Sequence, residues 1–193
     1  MAPGKKNASR LRASLVFIDE SGLLMAPLVR RTWAPVGQTP IVYQRTRSRE
    51  RVSMIAALTV SPGRRKLGLY FCLLPNENVV TAVVLRFVRQ LRRHLGAPLV
   101  VVWDRLNVHR CAWGKLQSRR QSIHAVFLPP YAPELNPVEV FWSYLKMNPL
   151  ANWSAVDADQ LRRRAQRHAQ QIADDQGLLR SFLKATPLPL RLN

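Results

Sequence analysis

Four carboxylates stand where carboxylates can do chemistry, in a chain that has few of them. Asp and Glu number 11 against 30 Lys and Arg. Asp19 closes the apolar run in "SLVFID", and Asp104 follows "PLVVVW". Glu134 and Glu139 lie together in "ELNPVE". The other seven have ordinary roles. Asp157, Asp159, Asp174 and Asp175 sit among the arginines of a C-terminal helix as solvated pairs or caps. Glu50 is flanked by Arg49 and Arg51. Glu77 falls in the first turn of a long helix, where the dipole favours an acid. Glu20 follows Asp19 and points the other way if the strand ends there. If the strands before Asp19 and Asp104 are parallel neighbours, their carboxylates meet outside the carboxyl ends of a sheet, where α/β folds place sites. Such a pair repels itself unless a cation lies between, so it predicts a divalent metal on hard oxygen donors. Capping of a turn is the competing reading for each aspartate.

The two glutamates differ in setting. Asn136 suits an N-cap, Pro137 the first helical position, and Glu139 falls at the third. Val138, Phe141, Trp142 and Leu145 form a buried stripe, with Glu139 on its border. Local pattern leaves two roles open for Glu139. It can aim at the sheet edge, or reach back to the Asn136 N–H as a capping box. Glu134 lies before the helix in a proline-bound loop.

The elements that must position these acids follow from periodicity. "SLVFIDESG" reads as a buried strand with Asp19 at its end. "RVSMIAALTV" and "KLGLYFCLL" are two further strands across the turn "SPGRR". Asn76 is the expected cap of the helix "ENVVTAVVLRFVRQLRRHLG", which Gly96 ends. "PLVVVW" has no alternation and reads as a central strand buried on both faces. "HRCAWGKLQSRRQ" is helical, "IHAVFLPP" a strand, and a helix starts near Asn136. Ser154 and Asp157 form an S-x-x-D start for the basic helix "ADQLRRRAQRHAQQIADDQ". Three strands pair as an antiparallel meander, and two more add in parallel through helices. The expectation is an α/β fold, a mixed five-stranded sheet flanked by helices. Residues 1–12 read as a basic flexible arm, 13–153 as the catalytic domain and 154–193 as a basic helical extension.

The chain's 193 residues carry a net charge of +19, and 24 of the 30 cations are arginine. That balance implies a polyanionic partner, and bidentate guanidinium suits phosphate. Cys72 and Cys111 form no metal-binding spacing and read as inert thiols in a reduced compartment. No apolar run reaches the roughly 18 residues of a membrane span. "LVFI" is too short for a secretory core, so the expected location is cytoplasmic.

"FIDESG", "VVWDRLNVHR" and "LPPYAPELNPVEVFWSYLK" together resemble the catalytic domain of DDE transposases, in particular the mariner-like group of bacterial insertion sequences. Between Asp104 and Glu139 lie 34 residues, a spacing that group uses. "TWAPVGQTP" also resembles its segment after the first strand. The resemblance covers about residues 15–150 and implies a ribonuclease-H-like fold. It implies that Asp19, Asp104 and Glu139 are the catalytic acids and the ligands of two Mg²⁺ ions, with Mn²⁺ as a substitute. Asp19 would be shared between the ions. Asn107 and His109 match positions of the second motif and are assigned, with Asn136, a supporting role.

The implied reaction is cleavage at insertion-sequence ends followed by strand transfer, with TA as target. The implied partners are double-stranded DNA, a second copy of the chain on that DNA, and a separately encoded helix-turn-helix protein. The last is expected because relatives carry such a domain before the first catalytic motif, which here begins at residue 16. The implied location is at the nucleoid. Arg45, Arg47, Arg49 and Arg51 alternate and would form a cationic ribbon if extended. Arg162, Arg163, Arg164 and Arg167 span one helical turn and are the second candidate DNA contact. The competing readings are another ribonuclease-H-like nuclease and an inactive or regulatory DNA-binding fragment.

Overall fold

The computed structural model describes residues 11–26, 28–41, 43, 50–117, 122–190 and 192. Most of the expected arm, and Arg45, Arg47 and Arg49 of the expected ribbon, lie outside the described residues. Five strands form one sheet: β1 Ser14–Leu24, β2 Arg51–Val60, β3 Leu67–Pro75, β4 Leu99–Trp103 and β5 Ile123–Phe127. Their order is β3-β2-β1-β4-β5. β1, β2 and β3 pair antiparallel, whereas β1–β4 and β4–β5 pair parallel. The short turn at 61–66 explains the antiparallel hairpin, and helical crossovers impose the parallel pairings. The helices are α1 Thr81–Leu95, α2 Asn107–Gln117, α3 Pro137–Met147, α4 Ala158–Asp174 and α5 Gln176–Lys184.

β1 alternates between two cores, as a strand period of two requires. Leu15, Phe17 and Leu23 face one core, shared with Val138, Phe141, Trp142 and Leu145 of α3 and with α4 and α5. Val16 and Ile18 face the other, shared with α1 and α2. "LVVVW" of β4 is wholly buried between the two layers. α4 and α5, expected as an extension, contribute Leu161, Ile172, Leu179 and Phe182 to the same core as α3.

Three local expectations are corrected. β1 does not end at Asp19: it continues to Leu24 because β2 pairs with it along its length, through Leu24 opposite Arg51. Asn76 does not cap α1. It turns out of β3 with φ of 56° and its Oδ1 accepts the Arg51 N–H, while the cap position of α1 is Val80. The cap of α4 is Asp157, whose Oδ1 accepts from Gln160 N, and not Ser154. Gly96, with φ of 64°, ends α1 as expected.

Candidate active site

The site forms where β4 stops and β1 goes on. Their parallel register pairs Phe17 with Val102, and β4 ends one residue later at Trp103. Continued by two residues, that register sets Asp19 opposite Asp104. The period of two puts Asp19 on the α3 side of the sheet and Glu20 on the α2 side. α3 supplies the third acid. Asn136 caps it by accepting the Val138 N–H, and Pro137 occupies its first position. The Asn136 N–H donates instead to Pro133 O, so Glu139 does not close a capping box. Asn136 is 3% exposed, and its Nδ2 donates to Ile18 O at 3.2 Å, tying the start of α3 to β1 level with the end of β4.

Asp19, Asp104 and Glu139 line one open cleft together with Arg105, Asn136 and the loop from Leu128 to Pro133. Asp19 is 8% exposed, and its Oδ2 accepts from Trp142 Nε1 at 2.8 Å. Burial raises its pKa to about 7, the nearby Glu139 charge adds to that, and the Trp142 bond opposes it. Burial likewise raises Glu139, with Asp104 adding to the rise, while Lys146 and a hydrogen bond with Asp19 oppose it. Burial also works against ionising Asp104. The His109 and Leu106 N–H bonds to Asp104 outweigh it and hold this carboxyl below its usual range. Glu134 sits in the short 3₁₀ turn Pro133–Leu135, exposed and outside the acid-lined part of the cleft.

Two residues not expected at the site surround these acids. Lys146, two turns after Glu139 on α3, donates from Nζ to Ser21 Oγ at 2.6 Å. Its desolvation lowers its pKa, and the Glu139 and Asp19 charges resist that. Glu20 accepts from His109 Nε2 at 2.8 Å, while Nδ1 of the same ring stands 2.5 Å from Asp104 Oδ1. His109 is fully buried and stacks on Trp103 with centroids 5.0 Å apart. Burial disfavours a charge on that imidazole, yet the two carboxylates lift its pKa to about 9. The sign of Lys146 and the alternation that turns Glu20 away from Asp19 were both visible in sequence. Their partners lie on other elements and were not. Asn107 starts α2 as an exposed residue whose Oδ1 meets Cys111 Sγ at 3.7 Å.

The donor set suits a hard divalent cation. It consists of carboxylate oxygens, and the Asp19 and Glu139 charges disfavour one another without a cation between them. Among the described residues no three His, Cys, Asp or Glu side chains form a compact ligand group. The fit is therefore to an open site, in which an ion takes one or two carboxylates and completes its shell with water and phosphate. Trp142 holds Oδ2 of Asp19, and the Leu106 N–H and His109 hold Oδ1 of Asp104, at the edge of the cleft.

The candidate DNA contacts are placed less simply. Arg51 opens β2, is exposed, and donates to Asn78 Oδ1 at 2.7 Å. Arg162 and Arg163 both pair with Asp159 on α4. Arg164 donates to Pro149 O and lies 4.5 Å over the Trp153 ring. Arg167 is exposed. Of the five tryptophans, Trp103 and Trp142 are core, whereas Trp33 is 99% exposed. Cys72 is half-buried and Cys111 exposed, both as free thiols.

A mixed sheet of this order, with one acid within β1, one just past the end of the adjacent β4 and one on a following helix, defines a ribonuclease-H-like nuclease fold. The chain belongs to the DDE superfamily endonucleases, whose family pattern it matches over residues 14–162. No curated protein matches it. Among solved structures it is similar to the Mos1 strand transfer complex, with a TM-score of 0.61 and 18% identity over 93% of this chain and 53% of that one. It is also similar to the mariner Mos1 paired-end complex with Mg, at 0.61 and 17% over 94% and 55%. The catalytic domain of Mos1 mariner transposase alone matches at 0.57 and 15%, over 93% of this chain and 79% of that one. The chain thus spans about half the length of the Mos1 chains in those DNA complexes. Among the described residues no helix is long and apolar enough to cross a membrane.

Proposed function

We propose that this chain is the catalytic part of a DNA transposase, cutting insertion-sequence ends and joining them to a TA-containing target. The observation that carries this reading is the cleft in which Asp19, Asp104 and Glu139 meet from β1, the end of β4 and the first turn of α3. These three would hold two Mg²⁺ or Mn²⁺ ions, with Asp19 shared. When bound, the metal would activate a water or the DNA's own 3′-hydroxyl for attack and offset charge on the leaving oxygen.

The chain's own part is positioning. Trp142 fixes one Asp19 oxygen, and the Leu106 N–H and His109 fix one oxygen of Asp104. Asn136 locks the first turn of α3, and with it Glu139, against β1. Arg105, exposed at the cleft, suits a phosphate of the bound strand. Duplex DNA fits the charge of +19. Mos1 is seen in paired-end and strand transfer complexes, and by analogy this chain acts as a dimer on DNA. A separately encoded helix-turn-helix protein would read the ends, with the complex at the bacterial nucleoid.

The test is nicking of end-containing DNA with Mn²⁺, followed by joining to a TA-containing duplex. Wild type is expected to nick and join, and Asp104→Ala to do neither. Nicking that survives Asp104→Ala overturns the assignment. Nicking without joining favours a ribonuclease-H-like nuclease of another kind.

A further inference from the structure

Asp104 is the acid of the cleft that lies outside any strand or helix, between β4 and α2. Its side chain is 42% exposed, against 8% for the residue Asp19. An exposed carboxylate on a connector has free rotamers unless something holds it. What holds it is the buried His109, backed by the largely buried Glu20. Glu20 Oε1 lies 2.8 Å from His109 Nε2, and His109 Nδ1 lies 2.5 Å from Asp104 Oδ1. The ring between them is fully buried and stacked on Trp103, the last residue of β4. Glu20 is itself anchored mid-strand, paired with Ile55 of β2. Its Oε2 is buried without a hydrogen-bond partner among the described residues, an arrangement that disfavours the fold. An apolar residue here would bury nothing polar. A carboxylate here is accounted for by the ring it grips.

We infer that Glu20 is a positioning residue of the active site, setting the Asp104 carboxylate through His109 from the opposite face of the sheet. The inference rests on the proposed metal-dependent reading for its consequence, though not for its geometry. β1 then serves the site twice. Asp19 points into the cleft, and its neighbour Glu20 points away and steers the second acid from behind. Losing a group that orients a ligand in this way typically weakens metal binding about 10–100-fold.

Two measurements test it on the full chain. The first is a double-mutant cycle in metal-free protein, with Glu20→Gln, Asp104→Asn and the pair compared by urea midpoint. Glu20 and Asp104 share no direct contact, so coupling through His109 is expected as non-additive midpoints, lost in a His109→Gln background. Additive midpoints overturn the inference. The second is Mn²⁺ titration followed by electron paramagnetic resonance. Glu20→Gln is expected to bind Mn²⁺ about 10–100-fold more weakly than wild type, with His109→Gln reproducing the change. A merely structural Glu20 would lower the melting temperature and leave Mn²⁺ affinity unmoved, which also overturns it. If Glu20→Gln does not fold, His109→Gln against Asp104→Asn completes the cycle, and additivity there counts against the chain of contacts. Should wild type bind no Mn²⁺, the metal reading falls, and the metal-free cycle alone decides the positioning role.

Discussion

Asp19 is the residue at which the fold and the reaction pull in opposite directions. Its carboxyl is buried beside Glu139, and burial raises its pKa from 3.8 to about 7. The folded chain thus binds this proton more tightly than the unfolded chain. The associated stability is complete below pH 4 and is lost as pH rises through 7. A displacement of this size corresponds to no more than about 4 kcal/mol, shared with Glu139 because the two titrate together. Asp19→Asn removes the charge and keeps an acceptor for Trp142. In EDTA it is expected to melt above wild type at pH 8 and level with it at pH 4. A divalent cation is expected to reverse that order at pH 8, because the ionised carboxylate then has its partner. Thermal melts at the two pH values, with and without Mg²⁺, read both effects. A variant that melts below wild type at pH 8 in EDTA would contradict the origin assigned to the raised pKa. The same linkage makes Mn²⁺ binding tighten as pH rises towards 7, since the cation displaces the Asp19 proton.

At the scale of elements, α3 matters because its first turn carries Glu139 and its body carries Trp142 and Lys146. Asn136 secures that turn twice, accepting from Val138 N and donating to Ile18 O. Asn136→Ala removes a cap and strands a buried carbonyl, together about 2–3 kcal/mol. Urea unfolding checks that figure. Nicking by the folded variant is expected to fall further than its stability accounts for, since Glu139 loses its anchor. Asn136, Pro137 and the apolar stripe of α3 were legible in sequence because capping and packing are local. The mixed pairing of the sheet was legible for a related reason: the unbroken apolar run at 99–103 calls for cover on both faces, as a central parallel strand has. The length of β1 was not legible, because pairing with β2 overrides the acids that looked like an ending. Glu20 and Lys146 were missed for one cause. Alternation and helical spacing say which side a residue faces, but not which distant element lies there. Asn76 was misread because an asparagine before a helix can equally close a hairpin end, and here it accepts the Arg51 N–H across β2 and β3.

For the whole molecule, charge and core make separate demands. On the proposed function the cations govern affinity for DNA, so binding is expected to fall linearly in log–log form with salt, by roughly 0.9 per phosphate contact. Filter binding from 50 to 300 mM NaCl measures the slope, and a flat response would sever charge from function. The core raises the question of where the catalytic unit stops. The sequence suggested a boundary near residue 153, and the family match runs to 162, inside α4. Yet Leu161 and Ile172 of α4, with Leu179, Phe182 and Leu183 of α5, are buried in the core that holds Phe17, Leu58 and Leu69 of the sheet. α4 and α5 both pack on β3, and α5 also meets α3. Each such side chain contributes about 1.5–3 kcal/mol when buried. Five together match the whole net stability of an ordinary domain, about 5–15 kcal/mol. A chain ending at Trp153 is therefore expected to lose cooperative unfolding and to bind a hydrophobic dye, with strand signal retained in far-ultraviolet circular dichroism. It should also lose nicking, because the face of the sheet that seats α3 would be half open to water. If the shortened chain instead melts cooperatively and still nicks, α4 and α5 are an accessory layer, and the acids are held by β1, β4 and α3 alone.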